Sequence, residues 1–202
     1  MSGKQKKYRF HFRNIRREVW AGLIILLQFF LLELYIILSP KVNLYRLRNY
    51  TKKFDYEEVN LCGTSSGKTY EDYRMITDPT SKQYRLIHQS LKVDPKTGFL
   101  YDKDGFIAVA LGYQFGEIGS RYYFTLDTGI VLPLIKADAK APVDASDGCQ
   151  VDINRTVIEF VIDSEASERY FGKGPNGYIL NGNFNNDMRL AGNIVKMEKV
   201  KQ

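Results

Sequence analysis

Polar positions all but vanish between Val19 and Leu38, where VWAGLIILLQFFLLELYIIL carries a single formal charge, Glu33. At about 1.5 Å of rise per residue, a helix of this length spans roughly 30 Å, the hydrocarbon thickness of a bilayer. A helix lying on a protein core keeps a polar face at a period of 3.6 residues, whereas this run is apolar nearly all round. The pattern predicts one transmembrane helix over residues 18–40, preceded by a tail, 1–17, and followed by a polar stretch, 41–61. In that stretch Leu44, Leu47, Tyr50, Phe54 and Val59 recur at loose helical spacing, which reads as a stalk.

From Cys62 to Gln202 the apolar runs shorten. Phe106–Leu111, Tyr122–Leu126, Ile130–Lys136 and Val157–Ile162 are rich in aromatic and β-branched residues, and Asn193–Val200 alternates apolar with polar. Each reads as a strand. Asp104-Gly105, Gly119-Ser120, Asp127-Thr128-Gly129 and Asp147-Gly148 separate them as turns. Two helices are predicted: Ser81–Leu91, with Tyr84, Ile87 and Leu91 on one face, and Ser164–Phe171, capped by Asp163 or Ser164 with Glu165 in its first turn. Short strands with few helices predict a mainly β domain over residues 62–202, a small barrel with one or two short helices.

Charge orients the span. The tail carries Lys4, Lys6, Lys7, Arg9, Arg13, Arg16 and Arg17 and no acid. Cations beside a span favour the cytoplasmic side. Lys41, Arg46, Arg48, Lys52 and Lys53 on the far side make the bias modest, but it still points the tail inward and the domain outward. The expected location is the cell membrane, single-pass, with an extracytoplasmic C-terminal domain. The run is too long for a signal-peptide core, and Leu38-Ser39-Pro40-Lys41 offers no small-x-small cleavage site, so it reads as an uncleaved signal anchor. The net charge of +6 comes from the tail. The nearly neutral remainder has no bulk attraction for nucleic acid. The tail suits anionic lipid headgroups instead, at about 1 kcal/mol per cation.

The two cysteines, Cys62 and Cys149, either pair or remain two thiols. A disulfide closing so long a loop stabilises by about 4–5 kcal/mol in the chain-entropy model. His88 is the one histidine beyond the tail, and no Cys/His cluster has zinc spacing, so neither a catalytic cysteine nor a metal is expected, and no cofactor is implied. Gly63–Thr69 has three residues between its glycines where a phosphate loop has four, and reads as a flexible loop. Tyr122–Ile130, YYFTLDTGI, is similar to the active-site strand of aspartic proteases. Two such aspartates must share a proton, so one copy would require a homodimer. Ile130 departs from that family, which places a small or hydroxyl residue there. The ordinary alternative is a turn between two strands.

The stretch Asn154–Ala166, NRTVIEFVIDSEA, followed by Phe171-Gly172, resembles the closing half of the 3D (Asp-Asp-Asp) domain. That family shows an acid within a strand, then Asp-Ser, a short helix with Glu-Ala, and aromatic-Gly. Glu159 matches the acid in the strand. Asp138, in Lys136-Ala137-Asp138-Ala139-Lys140, matches an Asp at an earlier strand end, without the double glycine the family places after it. Val109-Ala110-Leu111, with Ile118-Gly119-Ser120 and Tyr122, resembles the earlier strand pair, but Ala110 or Leu111 stands where the family carries Asp. The resemblance implies a double-psi β-barrel, similar to lytic transglycosylases and rare-lipoprotein-A-like proteins. Gly63–Lys68, Tyr70–Arg74 and Asp147–Cys149 also resemble segments of small membrane-anchored wall-side proteins of Gram-positive bacteria.

The resemblance implies chemistry on glycan. A lytic transglycosylase uses one acid to protonate the leaving oxygen and then, as base, to take a proton from the sugar's own 6-hydroxyl. Such an acid needs a raised pKa. Asp138 is the candidate acid and base, with Glu159 its neighbour. Asp144 and Asp147 would assist from the following loop, and Tyr70 and Tyr73 would stack on sugar rings. Each has an ordinary alternative: Asp138 as a turn cap, Glu159 as a water-facing strand residue, and the loop acids as solvated turn residues. Two classes are therefore carried forward. One is a non-catalytic module binding peptidoglycan or an envelope protein partner, and the other is a peptidoglycan-cleaving enzyme.

Overall fold

The computed structural model describes residues 19–31 and 44–201. The chain divides into two units, residues 1–40 and 41–202. In the first, residues 19–31 form helix α1, with Trp20, Leu26, Phe29 and Phe30 exposed. Among the described residues no helix is long and apolar enough to cross a membrane. The rest of the expected span, residues 32–38, and the basic tail lie outside the described residues.

The second unit is mostly sheet with a few short helices. Its elements are β1 (Tyr56–Val59), β2 (Lys68–Asp72), α2 (Lys82–Ser90), β3 (Lys92–Val93), β4 (Leu100–Tyr101), β5 (Ile107–Leu111), β6 (Arg121–Leu126), β7 (Val131–Ala139), β8 (Ile158–Ile162), α3 (Ser164–Phe171) and β9 (Ile194–Val200). Hydrogen-bonded neighbours run β1-β9-β6-β7-β5-β4-β3, and β8 joins β5 to β2. Two pairings are parallel, β5 with β7 and β2 with β8.

Local chemistry explains several of these elements. The hairpin β6–β7 closes at Asp127-Thr128-Gly129, where Gly129 takes φ +79° and Leu126 N–H donates to Ile130 O at 2.8 Å. A positive φ there favours glycine. Pro133 lies inside β7, which is tolerated because β5 begins to pair only at Leu134. Ser81 Oγ accepts from Tyr84 N–H to start α2, and Asp163 caps α3 by accepting from Ala166 N–H.

The stretch expected to form a stalk is packed into this unit. A 3-10 turn at Leu44–Asn49 buries Leu44 and Leu47, and β1 pairs antiparallel with β9. The polar residues between them hid this contribution, because β1 (Tyr-Glu-Glu-Val) is an edge strand with three of its four residues exposed.

The core lies on both faces of the sheet. The larger cluster gathers Phe99, Phe124, Leu134, Phe160 and Phe184, with Phe99 and Phe160 ring centroids 5.0 Å apart. The smaller gathers Phe106, Tyr123, Ile135, Ala137 and Val161. Alternation along β8 therefore sends Phe160 to one cluster and Val161 to the other.

Candidate functional site

The candidate site is built where β2, β8, β5 and β7 stand side by side. Thr69 on β2 is in register with Glu159 on β8, and Glu159 with Ala110 on β5. Ala110 in turn opposes Asp138 on β7. This last pairing depends on a slip. Val109 opposes Lys136, but Ala110 opposes Asp138, so β7 carries one extra residue, Ala137. Plain alternation along β7 would group Asp138 with Leu132 and Leu134, in the larger core. The bulge re-aims it to a polar cleft. That cleft, of about 300 Å³, is lined by Thr69, Glu71, Ala110, Asp138, Lys140 and Glu159, and by Asp144, Val151 and Asn154 from the loop after β7.

The loop that walls the cleft is tied down. Cys149 forms a disulfide with Cys62, with Cα atoms 6.1 Å apart. Asp147 Oδ1 accepts from the N–H groups of Cys149 and Gln150. Ser146 Oγ donates to Asp152. At the cleft floor the buried Lys140 donates from Nζ to Thr156 O at 3.0 Å. Burial pushes the Lys140 ammonium down to about 8, with Glu159 and Glu71 acting against that shift.

Glu71 is the acid that sequence reasoning missed. Its carboxyl is in side-chain hydrogen-bond contact with that of Asp138, and its Oε1 is buried with no hydrogen-bond partner. Burial first, then the neighbouring carboxyls of Asp138 and Glu159, push Glu71 up to about 8, against the pull of Lys140. The sequence offers little signal for Glu71, since Lys-Thr-Tyr-Glu-Asp has no apolar period to mark a strand.

The other expected site residues are placed as follows. Asp138, Glu159 and Asp144 share the cleft. Asp147 lies in the same loop and caps its turn. Tyr70 points to the opposite face of β2 from Thr69 and Glu71, packs edge-on against Phe184, and accepts from Ile179 N–H through its hydroxyl. Tyr73 packs against His88 and the Arg74 guanidinium. The Gly63–Thr69 segment is anchored by Lys68, whose buried Nζ donates to Ser66 O, Gly192 O and Asn185 Oδ1. Asp127 accepts from the backbone N–H and side-chain amide of Asn193 and so braces the β6–β7 turn. Among the described residues no group of three or more His, Cys, Asp or Glu is arranged to hold a metal ion.

The chain matches no family model, no curated protein and no solved structure in the comparisons made.

Proposed function

We propose that this chain is a single-pass, membrane-anchored protein whose extracytoplasmic head, a double-psi-type barrel, cleaves glycan strands of the cell wall by lytic transglycosylation. The observation that carries the proposal is the convergence of Asp138, Glu159 and Glu71 in one cleft, where burial and the neighbouring carboxyls push Glu71 upward. Asp138 gives a proton to the glycosidic oxygen as the bond from that oxygen to the anomeric carbon breaks. The carboxylate of Glu159 faces the positive charge that develops on the sugar. The sugar's 6-hydroxyl oxygen then bonds to the anomeric carbon, and its proton returns to Asp138. Atoms and protons balance, and the acid ends as it began. The apolar run Val19–Leu38 supports the anchor, its described portion being helical with bare apolar side chains.

One observation favours a binding module instead. Ala110 occupies the register position between Asp138 and Glu159, where the resembled family would supply a further carboxyl. Digestion of purified peptidoglycan by the full-length protein in detergent discriminates the two. Anhydro-sugar ends that disappear in Asp138→Asn support cleavage. Intact glycan, with the protein retained on the wall material, supports the module. Protease added to intact cells should remove a tag fused after Gln202, and a shielded tag would overturn the extracytoplasmic placement.

A further inference from the structure

Ala110 lines the cleft between Asp138 and Glu159, and strand β2 brings a third acid to the same cleft. Because β2 pairs in parallel with β8, Thr69 sits beside Glu159 and Glu71 follows two residues on, on the same face. The Glu71 carboxyl reaches that of Asp138, although β2 and β7 do not pair. Two carboxyl groups in hydrogen-bond contact must hold a proton between them, since two bare carboxylates have no donor. Glu71 Oε1 is buried and no protein group donates to it, so ionising Glu71 would leave a charge there without a donor. Lys140, whose Nζ donates to Thr156 O, pulls the other way, but burial and the carboxyls of Asp138 and Glu159 outweigh it.

We propose, on the glycan-cleaving activity argued above, that Glu71 is the positioning residue that holds the proton Asp138 delivers. Glu71 does not touch the sugar. It shares its proton across the hydrogen bond with Asp138, so that Asp138 meets the glycosidic oxygen charged with a proton. When the 6-hydroxyl proton returns to Asp138, the shared bond is restored.

Two measurements on the full-length protein in detergent test this. The first reads the protonated-carboxyl band by infrared difference spectroscopy across pH, without any substrate. The wild type should keep one carboxyl proton to about pH 8, and Glu71→Gln should lose that band. A wild type with no such band at pH 7, or a band unchanged in Glu71→Gln, overturns the proposal. The second is the pH profile of glycan cleavage. Glu71→Gln should lower kcat at least tenfold with little change in KM, and move the alkaline limb down by a unit or more; Glu71→Asp should recover part of both. A Glu71→Gln enzyme with the wild-type profile refutes the role of Glu71. A wild type that holds the proton but leaves glycan intact refutes the cleavage activity, while the pairing of the two acids stands.

Discussion

The carboxyl of Glu71 on β2 meets that of Asp138 on β7, although the two strands share no hydrogen-bonded edge. The contact exists because β8 and β5 lie between them in register and β7 bulges at Ala137. It makes the stability of the head depend on pH. The folded form holds the Glu71 proton to about 8, while the unfolded chain releases it near 4.5. Between those values the folded state binds more protons, so this contribution is full below about pH 4.5 and is lost as pH rises through 8. Glu71→Gln should come close to the wild type at pH 5 and exceed it by several kcal/mol at pH 9. Denaturant midpoints across pH check this, and parallel curves for the two proteins would contradict it.

Lys68 ties three segments through one buried ammonium, which burial holds down at about 8. Lys68→Met would leave the Ser66 and Gly192 carbonyls without this donor, while Asn185 Oδ1 would keep only Gly192 N–H. A loss of about 2–4 kcal/mol is expected, read as a lower urea midpoint. A loss under about 0.5 kcal/mol would show that water replaces the ammonium.

The Cys62–Cys149 disulfide closes a separation of 87 residues. In the chain-entropy model its removal costs about 4–5 kcal/mol. Replacing both cysteines by serine should lower the melting temperature sharply, and a reductant should do the same to the wild type. A melting temperature insensitive to reductant would mean that the bond is not formed.

Gly112 approaches the loop backbone so closely that a Cβ would overlap the carbonyl of Gly148. Its φ is −59°, which alanine tolerates, so the contact alone decides the outcome. Gly112→Ala should destabilise by about 1–3 kcal/mol. Circular dichroism melts of the two proteins measure it.

Leu47 is fully buried in the larger core cluster, although it precedes the first strand. Leu47→Ala should cost about 2–4 kcal/mol. A fragment beginning at Cys62 lacks Leu47 and β1 and should fail to fold, whereas one beginning at Lys41 should fold. Tryptic resistance of the two fragments decides the point.

Much of the sheet was legible because its inner strands are apolar and its turns carry Asp and Gly. The Tyr122–Leu126 and Ile130–Lys136 runs appear as β6 and β7, and α3 starts at Asp163, one of its two expected caps, while Ser81, expected as the first residue of α2, caps it instead. Strands β1 and β2 were not legible, since Tyr-Glu-Glu-Val and Lys-Thr-Tyr-Glu-Asp show no apolar period. Tyr70 and Tyr73 suggest sugar platforms by residue type alone, and their settings, Tyr70 edge-on to Phe184 and Tyr73 beside His88, come only from the tertiary structure.

By itself the chain's sequence determined where apolar runs start and stop, because local propensity and capping act within a few residues. Through the family resemblance it also marked Asp138 at a strand end, Glu159 within a strand, and Asp144 and Asp147 in the loop between them. Only the tertiary structure decided which carboxyls meet. Side chains along a strand alternate with period two, so the single extra residue at Ala137 is what turns Asp138 from the core face to the cleft. The parallel pairing of β2 with β8, between strands more than eighty residues apart, then brings Glu71 beside it.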